Sequence, residues 1–144
     1  MGLDMYLDRH HYYGGQWKND DHKDEKYHNT LSLSGVFVED RDLEPGKVNE
    51  IVEQVVYWRK ANEIHNWFVK NVQEGMDDCK RYYLTLSTLK DLLDVCYRVK
   101  EHLDVKDYAA AEDLLPTCDG FFFGDYEVQD DWYRENVDHT IKSL

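Results

Sequence analysis

The chain has 144 residues, 42% of them hydrophobic and 33% charged, which is typical of one folded domain with a real core. Its net charge of −13, from 17 basic and 30 acidic residues, argues against free nucleic acid as a partner, because phosphate binding needs a basic surface. Three cysteines without a C-x-x-C pair argue against disulfides and zinc ribbons, and no apolar run approaches a membrane span, so a reduced, cytoplasmic setting is expected.

The N-terminal third predicts two strands separated by a loop. Residues 1–7, MGLDMYL, alternate between apolar and more polar side chains, which indicates a half-buried strand. Residues 8–30 lose this periodicity and predict an irregular loop, whose histidines follow no ligand spacing and therefore predict no metal site. Residues 31–38, LSLSGVFV, predict a second strand in which Gly35 marks a bend or bulge.

The central stretch, Gly46 to Gly75, is predicted to be one long helix with a kink near Lys60–Asn62. Pro45 precedes it, and Gly75 has the position of a C-terminal cap. At helical spacing its apolar residues fall on two stripes, one through Tyr57, Ala61, Ile64, Phe68 and Val72 and one through Val48, Ile51, Val55 and Trp58. Two stripes predict a helix that is covered on both sides, or one that breaks and changes direction partway.

Polar and aromatic residues are interleaved in this stretch, and seven of them form the candidate ligand-binding site: Trp58, Arg59, Lys60, Asn62, His65, Asn66 and Trp67. An arginine beside aromatic rings suits an anionic or planar ligand. The alternative is that Asn62 and His65 only tie the helix to neighbouring backbone, since buried amides and imidazoles need partners. A single histidine without acids at ligand spacing predicts neither a metal nor a cofactor.

The C-terminal half alternates short elements, predicted as a strand over 81–87, helices over 88–103 and 107–115, a buried strand or exposed aromatic hook over 120–124, and a helix over 125–144. Its charge is strongly negative. From Glu101 to Asp138 there are twelve acidic residues against two basic ones, which leaves 18 acids and 15 bases for the remainder. This asymmetry favours a basic protein partner or simple solubility.

These elements predict a single α+β domain over residues 1–144. A small sheet of three or four short strands is expected to pack on the long central helix, with two or three flanking helices. The order of the strands and the oligomeric state do not follow from the pattern.

Three blocks together resemble a family of small proteins encoded by bacteriophages and prophages: MGLDMYL at the start, VVYWRKANEIHNWFVKNVQEGMDDC in the centre, and LLPTCDGFFFG followed by Asp125-Tyr126 and Trp132-Tyr133. The resemblance covers nearly the whole chain except the 8–30 loop. It implies a phage protein acting in the host cytoplasm and places the central aromatic and polar residues in the family signature. It implies no established activity.

Three hypotheses for function remain open. The favoured one is a phage accessory protein that acts by binding a host protein, with counter-defence or host modulation as its purpose and the acidic C-terminal third as its contact surface. The alternative is a module that binds or sequesters a nucleotide-like ligand through Arg59, Asn62 and His65. The third is a small enzyme with His65 as general base, oriented by a nearby aspartate; the chain lacks phosphate-loop, nucleophile-elbow and HExxH motifs, which weighs against it.

Overall fold

A computed structural model of the chain describes residues 3–12, 50–118 and 124–144. The described part is of the α+β class, as predicted, with two strands and four helices: β1 (Asp4–Tyr12), β2 (Glu50–Arg59), α1 (Asn62–Asn71), α2 (Leu86–Asp104), α3 (Tyr108–Leu114) and α4 (Asp131–Ser143). Within these ranges the sheet has the order β1-β2, so a sheet of three or four strands is not confirmed. The strand expected over 31–38 and the Phe-rich segment 120–123 lie outside the described residues.

Internal contacts divide the chain into two compact units, one comprising Met1–Leu7 with Val55–Leu144 and the other comprising Asp8–Gln54. In the second unit, His10 and His11 hydrogen-bond to Glu50 and Glu53 across the two strands. The prediction of a loop beginning at residue 8 was therefore wrong for residues 8–12, which continue β1 because polar partners on β2 satisfy their side chains.

In the first unit, the two strands run antiparallel, since the start of β1 lies beside the end of β2. The backbone N–H of Lys60 donates to the carbonyl oxygen of Leu3 at 2.7 Å. The rings of Tyr6 and Tyr57 stack with their centroids 5.1 Å apart, and the Tyr57 hydroxyl donates to Asp4 at 2.6 Å. Val56 and Trp58 are buried while Tyr57 and Arg59 are exposed, so one face of β2 covers the core.

The single helix predicted over 46–75 was wrong, because among its described residues Glu50–Arg59 form strand β2 and only Asn62–Asn71 are helical. Valine, tyrosine and tryptophan dominate the end of β2, and such side chains favour a pleated, half-buried strand. The chain changes direction at Lys60, whose φ of 54° is left-handed and ends the strand. The two apolar stripes thus came from two different periodicities placed end to end.

Helix α1 ends at Asn71, four residues before the predicted glycine cap, and Gly75 follows with a φ of 81°. Residues 76–85 then form no helix or strand, which contradicts the strand predicted over 81–87. Tyr82 and Tyr83 are exposed and Leu84 is only partly buried, so the alternating side chains of this segment do not form the buried face of a strand.

Helix α2 confirms the predicted amphipathic stripe, and it begins slightly earlier than expected. Leu92, Cys96, Val99 and Leu103, spaced by four, three and four residues, are buried. Thr85 is the N-cap, with its hydroxyl accepting from the backbone N–H of Thr88 at 3.1 Å.

The predicted helices over 107–115 and 125–144 are confirmed with shorter bounds as α3 and α4. Asp107 caps α3 by accepting from the N–H of Ala110 at 3.2 Å. The packed core of the first unit combines buried residues of α1, α2, α3 and α4 with Val56 and Trp58 of β2. Among the described helices, none is both long enough and apolar enough to cross a membrane.

Candidate functional site

The structure places Trp58, the first of the predicted site residues, inside the core. Its side chain is 2% exposed, and its indole Nε1 donates to the hydroxyl of Thr140 on α4 at 2.9 Å. That hydroxyl donates in turn to the backbone carbonyl of Asn136 at 2.8 Å. The indole also packs against the edge of Phe68, with ring centroids 5.7 Å apart. Trp58 therefore joins β2 to α1 and α4.

The two asparagines of α1 hold the chain segment that follows α3. Asn62 is 1% exposed, and its Oδ1 accepts from the backbone N–H of Cys118 at 3.2 Å. Asn66 donates through Nδ2 to the carbonyl oxygen of Pro116 at 3.1 Å. These bonds give side-chain partners to two half-buried backbone groups. For Asn62, the predicted tie to neighbouring backbone is what the structure shows.

His65 is 8% exposed, and both of its ring nitrogens have partners. Nε2 lies 2.9 Å from Oδ2 of Asp77, one of the aspartates considered as its orienting group. Nδ1 lies 3.3 Å from the sulfur of Met5 on β1. A general base needs a nitrogen within hydrogen-bonding reach of its substrate. Here the histidine bridges β1, α1 and the loop after α1.

Arg59 and Lys60 are exposed, in contrast to their neighbours. The Lys60 backbone is fixed on both sides, because its N–H donates to Leu3 and its carbonyl accepts from the Tyr126 hydroxyl at 2.8 Å. Trp67 is half-buried and packs edge-on against Phe68, with ring centroids 5.4 Å apart. The seven predicted residues are thus neighbours in the chain whose side chains take different directions.

A shallow cavity of about 280 Å³ lies elsewhere in the first unit, between the C-terminal end of α2 and the start of α4. Asp104, Asp130 and Arg134 are among the residues that line it. Arg134 already binds Asp104 at 2.8 Å across this cavity. Within the described ranges, no group of three or more histidine, cysteine, aspartate or glutamate side chains could hold a metal ion.

Sequence reasoning missed the most unusual titratable group, Glu63 on α1, which is completely buried. Its Oε2 contacts the hydroxyl of Tyr126, which also accepts from the N–H of Asn62 at 2.8 Å and from the Asn136 side chain at 3.1 Å. Burial raises the pKa of Glu63 to about 7, although the hydrogen bond from Tyr126 opposes the rise. The local sequence gives no signal for this burial, since Glu63 lies between Asn62 and Ile64 at the start of a helix, where glutamates are common.

Burial also acts on the other titratable groups around Glu63. It raises the pKa of the Cys96 thiol on α2 to about 12, with the negative charge of Glu63 adding to the effect. It raises the pKa values of Tyr126 and Tyr133 above their usual range for the same two reasons. The Tyr133 hydroxyl is held by the carbonyl of Leu115 at 2.7 Å. These groups are neutral at physiological pH and are poor nucleophiles in this state.

Comparisons with protein-family models, with curated proteins and with solved structures gave no match to this chain.

Proposed function

We propose that this chain is a non-catalytic binding protein that contacts a basic protein partner through acidic side chains at the start of α4. In keeping with the sequence resemblance, we place it among phage accessory proteins acting in the cytoplasm of the host. The observation that carries the proposal is a group of exposed carboxylates, called the acidic face from here on, comprising Glu127, Asp130, Asp131 and Glu135.

The acidic face is held in a fixed arrangement. A turn brings its first two members together, since the N–H of Asp130 donates to the Glu127 carbonyl at 2.9 Å and the N–H of Glu127 donates to the Asp130 carboxylate at 2.8 Å. Asp131 and Glu135 are one helical turn apart on α4 and therefore point to the same side. Trp132, which is 44% exposed, adds an aromatic side chain of the kind that carries binding energy in protein interfaces.

Two other acids of the C-terminal third already have cationic partners. Asp138 is paired with Lys100, and Asp104 is paired with Arg134. No ion pair among the described residues engages the four carboxylates of the acidic face. Their field can therefore attract an external basic surface and speed its association, an effect that weakens as salt screens the charges.

The alternative functions receive less support from the geometry. A nucleotide-like ligand would need Arg59, Asn62 and His65 to converge, yet Arg59 is exposed while Asn62 and His65 are buried with partners of their own. General-base catalysis would need a ring nitrogen of His65 to reach a substrate, and both nitrogens are occupied.

A pull-down from a bacterial host lysate tests the proposal. The immobilised wild-type chain is expected to retain a basic protein at low ionic strength and to release it as salt is raised. A variant in which amides replace the carboxylates of the acidic face is expected to retain much less, and it keeps the polar shape of the turn: Glu127→Gln, Asp130→Asn, Asp131→Asn and Glu135→Gln.

The matched control neutralises four exposed acids elsewhere: Asp8→Asn, Glu74→Gln, Asp91→Asn and Asp94→Asn. It changes the net charge by the same amount and is expected to retain the partner. Equal losses in both variants would show that total charge, rather than the acidic face, governs binding. The absence of any retained protein at low salt would refute the proposed function.

A further inference from the structure

The Tyr126 hydroxyl is at the centre of an unusual hydrogen-bond arrangement. It contacts two acceptors, the Lys60 carbonyl oxygen at 2.8 Å and Oε2 of Glu63, and it is contacted by two N–H donors, from Asn62 and Asn136. A phenolic hydroxyl carries one proton and two lone pairs. The Lys60 carbonyl oxygen has a second donor, the N–H of Asn62 at 3.0 Å, so the hydroxyl can donate to an ionised Glu63 or accept from a protonated one.

The surroundings of the other oxygen of Glu63 favour a neutral carboxyl group. Oε1 is buried and has no hydrogen-bond partner within the described residues. In an apolar interior, an ionised carboxylate with one oxygen that accepts no hydrogen bond costs folding free energy, and a neutral carboxylic acid costs much less. A second carboxylate, that of the half-buried Glu112 on α3, lies within Coulombic range, and its buried Oε2 also has no described partner. Two negative charges in this interior would repel each other.

From this geometry we infer that the folded protein carries a proton on Glu63 in the neutral pH range, and that losing this proton loosens the packing of α1 against Tyr126 and α4. With the proton present, Glu63 donates to the Tyr126 oxygen, which frees the tyrosine proton for the Lys60 carbonyl. Asn136, which also reaches Glu63, can then donate to the carboxyl group. In that arrangement the hydroxyl donates to Lys60 and accepts from Glu63 and Asn62, which uses its one proton and both lone pairs.

Within the described part of the chain, the groups facing Glu63 from the surrounding elements supply no compensating positive charge. They are Glu112 from α3, Cys96 from α2, Tyr133 and Asn136 from α4, and Tyr126 from the segment before α4. None of these is cationic. Burial is therefore the main cause of the raised Glu63 pKa, and the negative charge of Glu112 adds to the preference for a neutral Glu63.

The sign of the pH effect follows from linkage. The pKa of Glu63 is about 7 in the folded chain against an ordinary 4.5, so the folded state binds more protons than the unfolded state between these values. The contribution to stability is complete below about pH 4.5 and is lost as pH rises through about 7. Between pH 5 and 8 this group alone should raise the unfolding equilibrium constant on the order of 50-fold.

Urea unfolding of the wild type and of Glu63→Gln, measured from pH 5 to 8, tests the inference. Glutamine imitates the protonated acid by donating from its amide. The unfolding equilibrium constant of the variant should therefore change much less between pH 5 and 8 than that of the wild type. Glu101→Gln, at an exposed position of α2 outside the acidic face, is the control and should keep the wild-type slope. Equal pH slopes in wild type and Glu63→Gln would overturn the inference.

A second measurement does not depend on a folded variant. The carboxyl ¹³C chemical shift of Glu63 in the isotope-labelled wild type is followed by NMR as pH is varied. A titration midpoint near neutrality is expected for a buried carboxyl that holds its proton. A midpoint in the range of ordinary exposed glutamates, near 4.5, would overturn the inference whatever the behaviour of the glutamine variant.

Discussion

The Trp58–Thr140 hydrogen bond offers a quantitative test of whether the tryptophan belongs to the core or to a ligand site. Trp58→Phe keeps an aromatic ring against Phe68 but removes the indole N–H and part of the ring volume. A lost neutral hydrogen bond costs about 1 kcal/mol, and the residual cavity adds about 1–2 kcal/mol. We therefore expect the free energy of unfolding to fall by about 2–3 kcal/mol.

Thr140→Val removes the same bond from the other side and leaves the indole N–H buried without an acceptor, which costs about 1–3 kcal/mol. In the double variant there is no indole N–H to be left without an acceptor. Its loss in the free energy of unfolding should therefore be smaller than the sum of the two single-variant losses by about 1 kcal/mol. Urea unfolding followed by far-ultraviolet circular dichroism gives all four stabilities without depending on tryptophan fluorescence.

The control is Trp132→Phe, at a half-exposed position on α4, which should change stability by less than about 0.5 kcal/mol. A coupling energy below about 0.3 kcal/mol, or a Trp58→Phe variant as stable as the wild type, would refute the assignment of Trp58 to the core.

Three further outcomes follow from the described contacts. Lys60→Gly should match the wild type or exceed its stability by up to about 1 kcal/mol in thermal unfolding, because glycine tolerates the φ of 54°, whereas Lys60→Val should lose about 1–2 kcal/mol. In maleimide labelling followed by mass spectrometry, exposed Cys79 should react in the native chain, while Cys96, buried and with its pKa raised to about 12, should react only in denaturant. Asp77→Ala should lower the free energy of unfolding by about 1 kcal/mol, because it leaves a ring nitrogen of His65 without its carboxylate partner; no loss would contradict that bond.

Helix α2 shows what local sequence can predict well. Its buried side chains recur at helical spacing over about three turns, and one face alone is apolar, so the pattern has a single interpretation. The same holds for β1, where alternation begins at the first residues. In both elements the periodicity itself records which face is buried.

The central stretch was misassigned because two elements meet there without a glycine or proline between them. Val56 and Trp58 alternate with Tyr57 as in a strand, but the helical residues that follow Lys60 extend the apparent apolar stripes. The left-handed backbone at Lys60 leaves no signal in the sequence, since lysine rarely adopts it. A local window cannot separate the two periods.

The site was only partly predictable for a different reason. That Asn62 and His65 need partners follows from their chemistry, yet which partners they find depends on distant segments such as Cys118 and Met5. Glu63 is the extreme case, because its environment is set by Tyr126, 63 positions later in the chain. Tertiary contacts of this range carry no local sequence signature.

The central claim is that the polar residues of the middle stretch stabilise the fold and that the partner binds at the acidic face. Amide hydrogen exchange of the free chain and of its complex with the protein retained at low salt tests this most directly. We expect added protection over residues 127–135 and unchanged exchange over residues 59–67. Added protection confined to residues 59–67 would contradict the claim and would return the binding site to the tryptophan-rich stretch.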